Sequence, residues 1–365
     1  MPLLLEQIQQ FAFARFFNVL LAWYDREKRD LPWRRSASPY HVWLSEVMLQ
    51  QTRVETVIPY YDRFVTRFAT LDDLAAAEEQ EVLALWQGLG YYSRARNLHR
   101  GAQWIQQVKQ GSFPSTVQEL LLVPGIGPYT AGAIASMAYG EPVPSIDGNL
   151  CRVFARLWCL SDDMTQGAVR IALTQTVTPY WEQKRPGDVN QALMDLAAKI
   201  CTVNNPQCEQ CPIAQMCQAH LGSTTEQYPA RKKKKPSPVI YWAIAIIRNA
   251  EGNYLLTRRK NQGLLAGLWE FAGANGNSQE EAQQALKRKL AALALEWEKE
   301  TLMGAVKHIF THRIWELQVF RFQGAADLPT TVDGHNWLSL ESLDEQYLLA
   351  GPHRKIAAWL KEELL

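Results

Sequence analysis

The sequence has 365 residues, 47% of them apolar, and a formal net charge of +1. This length exceeds that of one ordinary domain, and the apolar fraction excludes large-scale disorder. The charge excludes binding of a polyanion through a global positive field, because residues 1–228 hold nineteen Lys and Arg against twenty-two Asp and Glu. Any nucleic acid would therefore be bound through a local patch.

The sequence gives no sign of export or of membrane insertion. The first ten residues lack the basic start of a signal peptide. The uncharged residues 120–140 contain two prolines and four glycines, which would break a membrane-spanning helix. We therefore expect a cytoplasmic protein that does not bind membranes.

Helical periodicity dominates the first two-thirds of the chain, starting with apolar residues that recur from Phe13 to Tyr24. The same periodicity predicts helices over residues 42–61, 78–89, 97–108, 129–139, 150–160 and 190–200. Turn sequences rich in glycine and proline separate these segments. No strand pattern precedes residue 238, so we expect residues 1–225 to form an all-α region.

Residues 226–238, EQYPARKKKKPSP, place five consecutive basic residues between prolines. A solvated, extended linker is the ordinary interpretation, and contact with DNA phosphates is compatible with it. Beyond this linker the pattern predicts strands over residues 239–247, 254–259 and 315–322, and helices over residues 278–294 and 354–365. Residues 239–365 are therefore predicted to form a separate α+β domain.

Four of the six cysteines, Cys201, Cys208, Cys211 and Cys217, lie within seventeen residues after a predicted helix. Four thiolates at this spacing can close around one metal centre. Tetrahedral zinc is one candidate, although zinc sites usually carry two Cys-x2-Cys pairs and this segment has one. All-cysteine ligation also suits a [4Fe–4S] cluster, and the spacing alone leaves both candidates open.

The segment VPGIGPYTAG, residues 123–132, follows the end of a predicted helix. A dinucleotide-binding fingerprint would need a preceding strand and a third glycine at fixed spacing. Helix, turn and helix instead form a helix-hairpin-helix, in which Gly125 and Gly127 leave backbone N–H groups open to a DNA phosphate. Asp147, nineteen residues after Pro128, precedes a helical pattern and would by itself be an ordinary N-cap.

The hairpin, the aspartate and the cysteine spacing together resemble the endonuclease III superfamily of DNA glycosylases over about residues 10–220. The resemblance implies a six-helix barrel with the hairpin at about residues 30–140, and a cluster-bearing helical part formed by residues 1–29 and 141–225. It also favours a [4Fe–4S] cluster over zinc. Lyase members carry a lysine where this sequence has Tyr129, and a phenol cannot form an imine. The sequence therefore indicates a monofunctional glycosylase, with a bifunctional lyase of the endonuclease III type as the alternative.

Three further segments, LPWR, SEVMLQQTRVETV and GLGYYSRARNL, closely resemble the MutY adenine DNA glycosylases. That family removes adenine mispaired with 8-oxoguanine or guanine in double-stranded DNA. Glu46 would protonate adenine N7, and apolar helix neighbours would favour its protonated form. Asp147 would stabilise or trap the sugar cation. The resemblance also implies Tyr129 and Asn149 beside Asp147, Trp33, Arg34 and Gln191 at the substrate, and Gln51 and Tyr91 as wedges in the base stack.

Residues 239–365 resemble the Nudix-like domain of the MutY proteins. The helix EEAQQALKRKLAAL lacks the acidic set with which hydrolysing Nudix enzymes hold magnesium, which disfavours a nucleotide pyrophosphatase. The domain would instead read 8-oxoguanine through His308, Phe310, Thr311 and His312, with Thr311 where the family commonly has serine. We expect a bacterial monomer acting at the nucleoid. A non-catalytic DNA-binding protein is the alternative from another class.

Overall fold

The computed structural model describes residues 8, 10–36, 38–230, 236–260, 263–293, 295, 297–323, 332–343 and 347–363. The chain divides into two compact units, Met1–Leu89 with Ser93–Lys233, and Gly90–Tyr92 with Lys234–Leu365. The basic run at the centre of the predicted linker lies outside the described residues. In the part of the chain that the structure describes, no helix is both long enough and apolar enough to cross a bilayer.

The first unit is helical, as the periodicity predicts. Its helices are α1 (Phe13–Glu27), α2 (Pro39–Leu49), α3 (Val54–Arg67), α4 (Leu71–Ala76), α5 (Glu79–Trp86), α6 (Ser93–Lys109), α7 (Val117–Leu120), α8 (Pro128–Tyr139), α9 (Gly148–Leu157), α10 (Gly167–Val177), α11 (Pro186–Lys199) and α12 (Gln218–Leu221). Among the described residues, the first strand begins at Val239, so the prediction of an all-α region is confirmed.

One predicted helix is wrong. The pattern over residues 42–61 predicts a single helix, but the structure ends α2 at Leu49 and begins α3 at Val54. The break lies at Gln51, whose φ of 58° is in the left-handed region and cannot continue a right-handed helix. No glycine or proline marks this turn in the sequence.

An aromatic core joins α1 to α9 and α11. Phe16 and Phe154 are fully buried, and the rings of Phe154 and Trp158 stack with centroids 5.0 Å apart. Offset aromatic packing of this kind adds to the stabilisation that apolar burial provides. The core fixes α9, the helix that begins directly after Asp147.

In the second unit, the residues that the structure describes form two sheets and two helices. Its elements are β1 (Val239–Ile247), β2 (Tyr254–Arg258), β3 (Trp269–Phe271), β4 (Gly273–Gly276), α13 (Gln279–Ala292), β5 (Lys299–Ile309), β6 (Ile314–Gln323), β7 (His335–Leu338) and α14 (Gly351–Glu362). One sheet has the order β4-β1-β6-β5 with β1 and β6 parallel, and the other has the order β3-β2-β7. The predicted α+β class is confirmed, and the strands β1, β2 and β6 lie where the sequence predicts them.

The sequence missed β3, β4, β5 and β7 for two reasons. Strands β3, β4 and β7 have only three or four residues, too few to show a period. Strand β5 is long, but of its eleven residues only Val306 is buried, so no apolar alternation marks it. Pairing with β6 from Lys299 to Ile309 stabilises it instead.

Candidate active site

Glu46 is a buried acid on α2. Every residue of this helix from Val42 to Met48 is buried, and Glu46 is only 5% exposed. Burial raises the pKa of Glu46 to about 7, a hydrogen bond from Tyr129 opposes this, and the charge of Asp147 adds to it. A substantial fraction of Glu46 is therefore protonated at neutral pH, in the form that donates a proton.

Tyr129, on α8, forms a hydrogen bond with Glu46 on α2. It is the second residue of α8, and its hydroxyl donates to Glu46 Oε2. Burial raises the pKa of Tyr129 well above its usual value, and the charges of Glu46 and Asp147 raise it further. The phenol therefore stays neutral and remains a donor. The charge of Asp147 also acts on Tyr129, so the phenol lies near both acids while its hydroxyl bonds Glu46.

Asp147 is the N-cap of α9. Its Oδ1 accepts from the backbone N–H groups of Asn149 and Leu150, each at 2.8 Å, and its Oδ2 accepts from Asn149 Nδ2 at 2.7 Å. Burial raises the pKa of Asp147, and these hydrogen bonds oppose the rise. The N-cap interpretation and the site interpretation are compatible, because the cap fixes the direction of the carboxylate.

Arg152 connects this acid to the cysteine segment. Its Nη2 donates to Asn149 Oδ1 at 3.1 Å, and its Nε donates to the Cys201 carbonyl at 2.7 Å. Asn149 in turn bonds Asp147, so three hydrogen bonds lead from the carboxylate to the first cysteine. Sequence reasoning missed Arg152, because nothing local distinguishes it from any other helix arginine.

Arg34 forms an ion pair with Asp195. Its guanidinium forks onto the fully buried Asp195, with Nη1–Oδ2 at 2.8 Å and Nη2–Oδ1 at 2.9 Å. Its charge also opposes the rise that burial causes in the pKa of Glu46. Trp33 is buried beside it, and half-buried Gln191 lies on α11 four residues before Asp195 and therefore on the same helix face. Sequence reasoning missed Asp195.

The two predicted wedge residues share an uncommon backbone conformation. Gln51 has φ 58° and Tyr91 has φ 49°, and both side chains are exposed. Residues other than glycine rarely adopt positive φ, so the surrounding structure has to hold each of them there. The local geometry is that of two sharp turns with exposed residues at positive φ.

The hairpin between α7 and α8 has two glycines with different requirements. Gly125 has φ +85°, and a Cβ there would lie 2.6 Å from the Asn97 Cβ, so the fold needs a glycine. Gly127 is the N-cap of α8 with φ −97°, and a Cβ there would meet nothing within 4 Å. The open space in front of Gly127 leaves the positive end of α8 accessible to an anion.

The four cysteines line one cavity together with residues such as Val153, Leu196 and Ile213. Arg156 Nη1 donates to Cys201 Sγ at 3.3 Å, a contact that stabilises a thiolate. Burial raises the pKa of Cys211 to about 12 and that of Cys217 to about 11, so these thiols keep their protons until a metal replaces them. The described residues hold no group of three His, Cys, Asp or Glu placed to bind a single metal ion.

The predicted reading loop is the tip of the β5–β6 hairpin. The Phe310 ring packs against the Trp315 and His308 rings, with centroids 4.9 and 4.4 Å apart. Thr311 and His312 are exposed at the tip. The aromatic contacts therefore anchor the base of the loop, and at its tip the Thr311 hydroxyl hydrogen-bonds the Tyr91 hydroxyl at 2.5 Å.

Comparison with known proteins gives two family matches, an HhH-GPD superfamily base excision DNA repair protein over residues 44–179 and a NUDIX domain over residues 243–359. The adenine DNA glycosylase of Rattus norvegicus is 37% identical over 382 residues, which are 89% of this chain and 74% of that protein. The chain belongs to the adenine DNA glycosylase family. The Homo sapiens adenine DNA glycosylase is 36% identical over 89% of this chain and 70% of its own length. A thermostable thymine-DNA glycosylase aligns with a TM-score of 0.52 at 25% identity, over 57% of this chain and 97% of its own.

These matches confirm three predictions from the sequence. The chain is a DNA N-glycosylase of the base excision repair class, its first part has the helix-hairpin-helix glycosylase fold, and its second part is a Nudix-like α+β domain. The roles of the individual side chains stay predictions.

Proposed function

We propose that this chain is a monofunctional glycosylase that hydrolyses the N-glycosidic bond of adenine opposite 8-oxoguanine or guanine in double-stranded DNA. The observation that supports the proposal most strongly is the buried Glu46. Burial raises its pKa to about 7, and its carboxyl accepts a hydrogen bond from the neutral Tyr129 phenol. An acid with this pKa is well suited to protonate a leaving group near neutral pH. We also propose that the protein is a monomer and that it acts at the bacterial nucleoid.

The proposed reaction divides the chemistry between two acids. Glu46 donates its proton to N7 of the flipped adenine, and the protonated base leaves with the electron pair of the glycosidic bond. Asp147, held by the Asn149 and Leu150 amides, stabilises the cationic sugar or bonds to it, and water then completes the hydrolysis. Tyr129 offers no amine for an imine, so the DNA backbone stays intact.

The proposed DNA contacts come from backbone and side chains rather than from net charge. The open N-terminus of α8 at Gly127 would bind a phosphate. Gln51 and Tyr91 would fill the stack from which adenine has left. Trp33, Arg34 and Gln191 would surround the extruded base, with Arg34 held in place by Asp195.

We also propose that Cys201, Cys208, Cys211 and Cys217 hold a [4Fe–4S] cluster. A cavity lined by four thiols suits a multi-atom centre with all-cysteine ligation. The cluster would fix the loop that follows α11, and through Arg152 it would support the helix that carries Asp147. Its proposed part is therefore structural, and no step of the hydrolysis passes through it.

Finally, we propose that the β5–β6 hairpin tip reads 8-oxoguanine. Thr311 is exposed and its hydroxyl can both donate and accept, and His312 adds a further polar group beside it. Acidic residues occur in α13 only at its first turn, at Glu280 and Glu281, which supports a reader rather than a pyrophosphatase.

The first test is release of adenine from duplexes that carry A opposite 8-oxoguanine, G, C or T. Wild type should act on the first two, and Glu46→Gln should bind the same duplexes yet release adenine roughly a hundredfold more slowly, because an amide has no acid proton to give. Glu78→Gln, a change at an exposed glutamate, is the control and should behave as wild type. Near-normal single-turnover release by Glu46→Gln would remove Glu46 from the mechanism.

The second test is metal content. The purified protein should be brown and contain about four iron atoms per chain with negligible zinc. Cys208→Ser should lose iron, whereas Cys159→Ser, outside the cavity lining, should retain it. Stoichiometric zinc in protein made with ample iron would contradict the cluster.

The third test concerns the hairpin tip. Thr311→Val deletes a hydroxyl at nearly constant volume, and the preference for A opposite 8-oxoguanine over A opposite G should fall roughly tenfold, because a good polar contact to a base contributes about 1–3 kcal/mol. Thr301→Val, on the exposed face of β5, should leave the ratio unchanged. An unaltered ratio in Thr311→Val would show that another group reads the lesion.

A further inference from the structure

Arg94 is a buried cation near the start of α6, only 8% exposed. Its Nη1 donates to the carbonyls of Val47, Met48 and Gln50 at 2.9, 2.8 and 2.7 Å. The last carbonyls of a helix have no partner within the helix, and α2 ends at Leu49. Arg94 satisfies carbonyls at this helix end, where a positive charge is also favoured by the helix dipole.

A second set of contacts closes the turn from its other side. Arg94 Nη2 donates to Thr52 Oγ1 and to the Leu89 carbonyl, each at 3.2 Å. The Thr52 amide donates to the Leu49 carbonyl at 3.2 Å. Gln51 is therefore flanked on both sides by residues that Arg94 binds, and its own side chain is exposed.

These contacts explain how a residue other than glycine keeps φ at 58° in an exposed turn. Because isolated residues rarely adopt this conformation, the turn would relax without a group that holds both flanks. A guanidinium can do so because its donors form a rigid planar fork, whereas an ammonium is a single compact centre. Lysine at position 94 keeps the charge but cannot reach three helix-end carbonyls, the Thr52 hydroxyl and Leu89 together.

We propose that Arg94 is a positioning residue that sets the Gln51 side chain in its left-handed, exposed turn before DNA binds. The proposal rests on the proposed function, in which Gln51 enters the base stack that adenine leaves. A turn set in advance avoids ordering that side chain during base extrusion, and misplacement of about 1 Å can slow an enzymatic reaction about a hundredfold.

Hydrogen–deuterium exchange of the full-length protein tests the positioning without any reference to catalysis. In Arg94→Lys the Thr52 amide should exchange roughly tenfold faster than in wild type, because the turn opens more often. The matched control is Arg96→Lys on the same helix, where Arg96 Nε donates to the Glu79 side chain. The amides of Asn149 and Leu150, which cap Asp147, should exchange at the wild-type rate in both variants. Equal Thr52 exchange in wild type and Arg94→Lys overturns the proposal.

Thr52→Val provides a milder second variant in case Arg94→Lys folds poorly. It removes one acceptor of the guanidinium and leaves the arginine in place. Exchange in the turn should rise in the same direction by a smaller factor. Where Arg94→Lys does not fold, exchange equal to wild type in a folded Thr52→Val variant overturns the role of Arg94.

Single-turnover adenine release then tests whether Arg94 acts through Gln51. Arg94→Lys should slow release roughly tenfold in the wild-type background and cause no further loss in a Gln51→Ala background. Additive losses would show that Arg94 acts through the general fold or through Glu46, and would overturn the proposal. If wild type releases no adenine, the proposed function fails, while the exchange comparison still decides the role of Arg94.

Discussion

The site depends on one constraint, the removal of the Glu46 carboxyl from water. A carboxyl buried in an apolar helix resists ionisation, and only close packing of α2 against its neighbours keeps water out. The packing is visible at Gly101 of α6, where a Cβ would lie 2.8 Å from the Trp43 ring and from the Pro124 carbonyl. Tyr129 supplies one polar contact in this apolar setting, and it does so as a neutral donor.

The second acid has a different environment, and the contrast assigns the two roles. Glu46 is buried on α2 and accepts a hydrogen bond from the Tyr129 side chain, whereas Asp147 accepts hydrogen bonds from two backbone N–H groups and the Asn149 amide. Burial raises the pKa of both acids; three hydrogen bonds from N–H groups oppose the rise at Asp147, and one from a hydroxyl opposes it at Glu46. In the proposed reaction Glu46 then donates a proton, while Asp147 stabilises the cationic sugar. Asn149 and Arg152 extend the support of Asp147 to the cysteine segment.

Local patterns in the sequence were enough to predict those features of the site that depend on local structure. The apolar neighbours of Glu46 indicated its burial, and the position of Asp147 before a helical pattern indicated a cap. The partners that hold these groups could not be predicted, because they lie far apart along the chain. Arg34 and Asp195 are separated by 161 residues, and Arg94 and Gln50 by 44. The turn at Gln51 was missed for the same reason, since distant contacts rather than a glycine stabilise it.

Burial raises the pKa of Glu46 to about 7, so its carboxyl stays protonated in mild acid and is about half protonated at neutral pH. A pH titration by infrared difference spectroscopy of wild type against Glu46→Gln tests this directly. The protonated carboxyl band present only in wild type should disappear with a midpoint near pH 7. Because the folded-state pKa lies above the ordinary 4.5, ionisation favours the unfolded chain, so wild type should lose stability relative to Glu46→Gln as pH rises from about 4.5 to about 7. A midpoint near 4.5 would show that Glu46 is an ordinary ionised carboxylate at neutral pH and would contradict the account.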